Sequence, residues 1–368
     1  MRKKIFKNID WSIFICAVLL SIIGMVALFS ATQESGYEDL QKQILWFVVC
    51  IPVVFVIILI DYEALAKISP FFYGLFIILL IAVFFTEPIN GATSWFDLKF
   101  MNFQPAEFAK IFVILTFAYA ICKVQQRGRD EINRPLKLIG TIMIVLIPVL
   151  LIIKQPDYGT AIAYLVAMAM ILYTAGLDKK YIIGTFLLII IALPILYFFV
   201  LPEHAKTRIT VFLNPDTDPR GAGYNVIQSK LAIGAGQLFG MGLLKGNQTQ
   251  LGYLYPKTTD FIFSVIGEEM GFIVAGAVII LNVILITKAI YIAKTAKDDL
   301  GSYIAMGIAG IFFFHMVENI GMTMGLLPIT GVPLPFVSYG GSSMLTNFMM
   351  IAILMNISGR RQKAIFTE

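Results

Sequence analysis

Ten long apolar runs constrain this chain more than any other feature: residues 11–31, 44–60, 68–86, 105–122, 138–153, 160–177, 181–201, 261–287, 301–326 and 338–357. A helix that crosses a hydrocarbon core needs about 20 mostly apolar residues. Within that core each backbone N–H and C=O must be paired inside the protein, and a lone segment achieves this only as a helix. The pattern therefore predicts an all-α polytopic membrane protein with about ten transmembrane helices. The fifth and sixth runs, 138–153 and 160–177, are short and are expected to lie inside the bundle. Of the 368 residues 58% are hydrophobic and 14% charged, against about half and a quarter in soluble domains. No tandem repeat, Gly/Ser linker or low-complexity tract divides the sequence, so it reads as one domain, 1–368.

The net charge of +5 does not point to nucleic acid, because the basic residues sit in short connections between apolar runs. They behave there as determinants of orientation. Eighteen Lys and Arg residues, from Arg2, Lys3 and Lys4 through Arg127 and Arg129 to Arg361 and Lys363, fall on the side of the N-terminus, and nine on the other, with Lys110 inside a run. Both termini are thus expected in the cytoplasm. The N-terminal "MRKKIFKNIDW" precedes an apolar stretch too long for a signal peptide, with no A-x-A-like site after it, and reads as an uncleaved first span. Cys16, Cys50 and Cys122 lie in or beside apolar runs without CxxC spacing, as buried small hydrophobes rather than a disulfide or zinc framework.

One long hydrophilic segment, about 202–260, interrupts the pattern and is expected to face outward. Its "GYNVIQSKLAIGAGQLFGMGLL" mixes apolar residues with Gln228, Ser229, Lys230 and glycines, as a re-entrant or interfacial amphipathic helix would. The segment closes with "GNQTQLGYLYPKTTDFIFSVIGEEMGF", where Asp260 stands at the change from polar loop to apolar helix. A carboxylate there is wet enough to ionise and close enough to lipid to meet a lipid head group. Its other possible task is to cap the eighth helix.

Ionisable groups inside spans cost roughly 2.5–3.5 kcal/mol each on insertion scales and need a reason to be there. Glu107 and Lys110 in "FQPAEFAK" are spaced i, i+3, which suits either a buried ion pair or two groups on the wall of a cavity. Asp157 in "KQPDYGTA" can cap the sixth helix. Ser264, Gly267, Gly271 and Ala275 form a stripe of small residues for close packing. Glu268 and Glu269 lie roughly 12–14 Å deeper than Asp260 by helical rise and suit structural hydrogen bonding. His315, Glu318 and Asn319 share a face as an interhelical polar cluster rather than a metal site. "GLLPITGVPLPFVSYGGSS" breaks the helix at Pro328, Pro333 and Pro335 and returns through Ser338, Gly340, Gly341, Ser342 and Ser343, where backbone N–H groups can meet phosphate oxygens. No P-loop, GxGxxG, HExxH or GxSxG is present, so nothing points to a nucleotide or an organic cofactor.

Taken together, "FQPAEFAK", "QPDYGTA", "NPDTDPRGAGYN", "TDFIFSVIGEEMGF" and "ENIGMTMGLLPITGVPLPFVSYGGSS" resemble the SEDS family of bacterial cell-shape, division and sporulation proteins, RodA, FtsW and SpoVE. "WFDL" leans towards the RodA branch. The resemblance implies a multi-pass protein of the bacterial cytoplasmic membrane that polymerises lipid II into peptidoglycan at the outer face. It also implies a class B penicillin-binding protein as partner, among other elongation or division proteins. It makes Asp260 the key carboxylate, with Glu107, Lys110, Asp157 and Arg208 in support; Ser338 and Ser342, read from the returning segment itself, are expected to bind substrate or support its binding. Four positions depart from the usual pattern: Ser94 replaces a basic residue before Trp95, Asn247 a Thr, and Lys257 and Thr258 a Glu and often a His.

The implied chemistry needs a base for an acceptor sugar hydroxyl and cations for a departing diphosphate. Asp260 suits the first; Arg208, Lys110 or a divalent cation such as Mg or Mn suits the second. The rival reading is a lipid II flippase, which would also use polar residues and broken helices. A flippase calls for charges running through the midplane, whereas most polar residues here fall in the outer half. A non-catalytic scaffold would leave the outer carboxylates without a task.

Overall fold

The ten runs become ten helices, seen in a computed structural model that describes residues 7–87, 93–98, 102–200, 203–218 and 221–361. They are α1 (Trp11–Ala31), α2 (Glu38–Leu59), α3 (Tyr62–Ala82), α4 (Pro105–Val124), α5 (Pro135–Lys154), α6 (Tyr158–Thr174) and α7 (Lys179–Ile195). After the loop helices α8 (Glu203–Leu213) and α9 (Ala222–Ala235) come α10 (Ile262–Thr295), α11 (Asp299–Thr323) and α12 (Gly341–Arg360). Eight are long and apolar enough to cross a membrane; α4 and the shorter α6 complete the set. A two-stranded hairpin, β1 (Phe96–Asp97) against β2 (Asn102–Phe103), lies between α3 and α4. Arg2, Lys3, Lys4, Lys99, Arg220 and Lys363, which entered the charge count, and Pro202, which opens the long loop, lie outside the described residues.

Helix starts follow local chemistry. Asp10, Asp61, Asp157 and Asp298 each accept a backbone N–H in the first turn of α1, α3, α6 and α11, worth about 1 kcal/mol apiece. Pro105 and Pro135 open α4 and α5, where a missing N–H costs nothing. Several helices extend beyond their apolar runs. For example, α2 begins at Glu38 because Glu38 and Asp39 favour a first turn. One expectation is corrected. The fifth helix is not interior: only a third of its apolar window is buried, and Leu136, Ile139 and Leu150 are exposed. It gained a full crossing length by starting at Pro135, so its outer face meets the apolar surroundings directly. The sixth does pack inward, through Ala161, Ala163, Tyr164 and Ala167.

The termini share one end of the bundle. Asp10 donates its N–H to Ser358 Oγ at 3.2 Å and pairs with Lys288 at 3.2 Å, while Arg360 pairs with Asp61 at 3.5 Å. At the opposite end Gln43 donates to Ser338 O at 3.1 Å and Gln250 to Ser30 Oγ at 2.8 Å.

The long loop folds against α10. Helix α10 is broken at Gly271, whose φ of 79° and ψ of −178° belong to a region essentially reserved for glycine. The break strands backbone groups in an apolar setting, and the loop supplies their partners. Met241 N donates to Glu268 O at 2.9 Å and Gly242 N to Glu269 O at 3.0 Å. Phe272 N and Ile273 N donate to Gln237 O and Leu238 O at 2.8 and 3.3 Å. The loop approaches so closely that a Cβ on Gly271 would stand 2.2 Å from Gly240 N. Re-entrant backbone survives at this depth because protein pairs it. Gly271→Ala should destabilise the protein by about 2 kcal/mol or more, lowering the thermal midpoint of the detergent-solubilised chain. An unchanged midpoint would mean that the loop does not depend on this break.

Candidate active site

The segment between the loop's contacts with the break and the start of α10 sets the position of Asp260. Glu268 accepts from Gln248 N at 2.7 Å, Thr249 N at 3.0 Å and Thr249 Oγ1 at 2.6 Å. Glu269 accepts from Gly246 N at 3.3 Å and Gln250 Nε2 at 2.8 Å. The expected structural role of this acidic pair is therefore what the geometry displays: two buried carboxyl groups hold the returning loop. Downstream, Ser338 Oγ donates to Thr259 O at 2.8 Å, Tyr339 N to Thr258 O at 2.9 Å and Asn319 Nδ2 to Asp260 O at 3.1 Å. The backbone of Thr258, Thr259 and Asp260 is thus clamped by α11 and by the segment before α12. Glu318 does related work nearby, accepting from Thr330 Oγ1 at 2.7 Å.

The side chain of Asp260 does not cap α10. The cap position is Phe261, and it makes no side-chain cap bond. Asp260 instead lines a cavity of about 710 Å³ at the end away from the termini. Burial pushes its carboxyl up to about 6, against the opposing pull of the Thr259 hydroxyl and the Arg208 guanidinium. The group is half-buried, so solvent and a ligand can both reach it.

Of the residues singled out from sequence, Glu107, Asp157, Arg208, Ser342 and Asp260 line this cavity together. Asp157 caps α6 through Thr160 N at 3.1 Å and also accepts from Gln104 Nε2 at 3.0 Å. Burial raises its carboxyl above the usual range, opposed by the Thr160 N–H. Ser342 Oγ donates to Asn102 O at 3.1 Å and accepts from Gln104 N at 3.3 Å, tying β2 to the start of α12. Two expected contacts do not reach the cavity. Ser338 is buried, its hydroxyl spent on Thr259 O and Leu334 N. Lys110 is fully buried, 2.8 Å from Glu107 Oε1 and 3.5 Å from His315 Nε2. Glu107 also accepts from Thr346 Oγ1 at 3.1 Å, so the pair is hydrogen-bonded as well as charge-matched.

Sequence reasoning missed part of the lining. Glu34, from the short connection between α1 and α2, and Asp39, from the first turn of α2, face the cavity, as do Trp46, Trp95 and Lys257. Glu34 and Asp39 sat in a stretch that carried no motif. Ser94 lines the cavity too, but it is largely buried and its hydroxyl donates to Gln155 O at 3.2 Å. Among the described residues no three His, Cys, Asp or Glu side chains converge as a metal site.

The chain matches the cell cycle protein family of FtsW, RodA and SpoVE over residues 10–363. It belongs to that family. Peptidoglycan glycosyltransferase MrdB of Escherichia coli K12 is 40% identical over 296 residues, covering 80% of this chain and 78% of MrdB. Probable peptidoglycan glycosyltransferase FtsW of Trichlorobacter lovleyi is 37% identical over 371 residues, covering 97% and 95%. A solved structure, described as structural coordination of polymerization and crosslinking by a peptidoglycan synthase complex, superposes with TM-score 0.82 at 26% identity. It covers 95% of this chain and 97% of the matched one.

Within this family member, the buried Glu107–Lys110 pair predicts an asymmetry. Lys110→Met leaves a buried carboxylate alone and should cost about 3–5 kcal/mol. Lys110→Met combined with Glu107→Gln should recover most of that loss in the unfolding midpoint. A single variant as stable as the parent would mean that the pair is hydrated rather than buried.

Proposed function

We propose that this chain is a peptidoglycan glycosyltransferase that polymerises lipid II at the outer face of the bacterial cytoplasmic membrane, with Asp260 as general base. The observation that carries the reading is the Asp260 carboxyl. It is excused from helix capping, held on a clamped backbone and turned into a cavity beside Arg208. In the reaction the 4-hydroxyl of the acceptor sugar attacks the anomeric carbon of the donor. Its proton passes to Asp260, a new C–O bond forms, and the bond from the anomeric carbon to the lipid diphosphate breaks. Arg208 faces the negative charge that grows on the leaving diphosphate. Glu107 and Asp157 line the same cavity, and the buried Lys110 acts through Glu107 rather than on the substrate.

The resemblance raised a divalent cation. Among the described residues no three His, Cys, Asp or Glu side chains converge on one point, so such an ion would be held chiefly by the oxygens of the lipid diphosphate. No step here is routed through it. A class B penicillin-binding protein as partner is supported by the likeness to a peptidoglycan synthase complex. The transporter reading is less well supported, since the cavity wall is drawn from the end opposite the termini.

A base must be ionised to accept a proton. With its carboxyl near 6, Asp260 is mostly ionised at pH 7, and polymerisation should fall off below about pH 6. Asp260→Asn keeps the shape and loses the basicity, so the rate should drop roughly a hundredfold or more. The assay is glycan-strand formation from purified lipid II, with and without Mg and the cognate transpeptidase. Near-normal polymerisation by well-folded Asp260→Asn protein would end the catalytic assignment. A rate indifferent to the transpeptidase would remove it as an activating partner.

Orientation is tested separately. A cysteine placed at Asp216 should react with an impermeant thiol reagent in intact cells, and one at Arg129 should not. The reverse labelling would put the cavity on the wrong side of the membrane for a polymerase.

A further inference from the structure

We propose that Lys257 is a second diphosphate-binding cation, held in reserve by Glu34 until a lipid diphosphate enters the cavity. This rests on the polymerase reading for the identity of the ligand, and on the charge balance of the cavity for the role. Among the described lining residues five are carboxylic acids and two are cations, Arg208 and Lys257. Glu107 already has its own counterion in Lys110. The remaining wall is still acidic, which disfavours a diphosphate unless both cations turn towards it. The wall near Trp95 adds no cation, because its neighbour Ser94 is an uncharged residue whose hydroxyl is spent on Gln155 O.

Lys257 is built to be released. Its Nζ lies 3.2 Å from Glu34 Oε2 and donates to Thr249 O at 2.9 Å. An ammonium has three donors, so one is left over after these two contacts. Thr249 is itself anchored on Glu268, so the ammonium keeps a fixed foothold if Glu34 lets go. The Glu34 side chain is 62% exposed and that of Lys257 only 16%. The acid can be rehydrated where it stands, whereas the cation already faces inward. Solvent reaching the exposed Glu34 screens the pair, and a diphosphate offers several charge-assisted acceptors in exchange. Lys257 also lies three residues before Asp260 on the same clamped segment, so a phosphate held there sits beside the proposed base.

The bland alternative is that the pair only ties the α1–α2 connection to the long loop. The two readings differ in sign. Full-length protein in detergent is titrated with undecaprenyl diphosphate, with undecaprenol as the uncharged control, and read by tryptophan fluorescence because Trp46 and Trp95 line the cavity. Lys257→Met should weaken undecaprenyl diphosphate binding about tenfold or more and leave undecaprenol unchanged. Lys257→Arg should bind within a few-fold of the parent, and Glu34→Gln should bind more tightly, since the competitor is gone. Lys257→Met binding within twofold of the parent, or Glu34→Gln weakened in parallel with it, would overturn the proposal. The titration needs no turnover. A parent protein that binds the diphosphate but never polymerises lipid II would sink the polymerase reading alone.

Discussion

The backbone pairing across the break at Gly271 is the interaction on which the rest of the site depends. A helix cannot stop and restart in apolar surroundings without leaving N–H and C=O groups unpaired, at a cost of several kcal/mol. Here residues 237–242 of the long loop provide those partners. A hydrophilic segment that would otherwise drift in water is thereby fastened to the bundle. Everything downstream inherits that fastening: the turn at Asn247–Gln250 on Glu268 and Glu269, then Lys257, then Asp260. Gly236, Gly240 and Gly271 are among the places where a side chain would stand in the way.

The same chain treats its carboxylates in two opposite ways, and burial decides which. Glu107 lies deep, so it is matched with a lysine and hydrogen-bonded by Thr346. An ion pair in that position is costly to disrupt and ill suited to exchanging protons with a ligand. Asp260 lies at the cavity wall, with its backbone rather than its carboxylate engaged by Asn319. Its carboxyl is raised by partial dehydration but stays within reach of neutral pH, the range in which a base both ionises and accepts a proton. Depth separates framework from chemistry more cleanly than residue type does.

The family resemblance and the geometry support each other from different directions. The sequence marked Asp260, Glu107, Asp157 and Ser342 within motifs and Arg208 upstream of one, and these converge on one cavity. Lys110 and Ser338 carry the same motifs yet point elsewhere, into an ion pair and a backbone clamp. A motif thus reports that a residue matters without separating contact with substrate from support of a neighbour. Glu34 and Asp39 illustrate the converse: they belong to no motif, yet they help set the charge of the site.

Sequence alone determined the ten helices, because the length and apolarity of a run suffice once the surrounding medium forbids unpaired backbone. It also determined the i, i+3 pairing of Glu107 with Lys110 and the capping by Asp157, since both are settled within a single helical turn. The exposed face of α5 and the break in α10 were decided by tertiary structure. So was the choice of which cations reach the cavity. Those outcomes depend on what packs against a segment, and the partners come from positions far away in the chain, as Glu34 does for Lys257. A local pattern can state that a charge must be satisfied; only the folded arrangement selects the group that satisfies it.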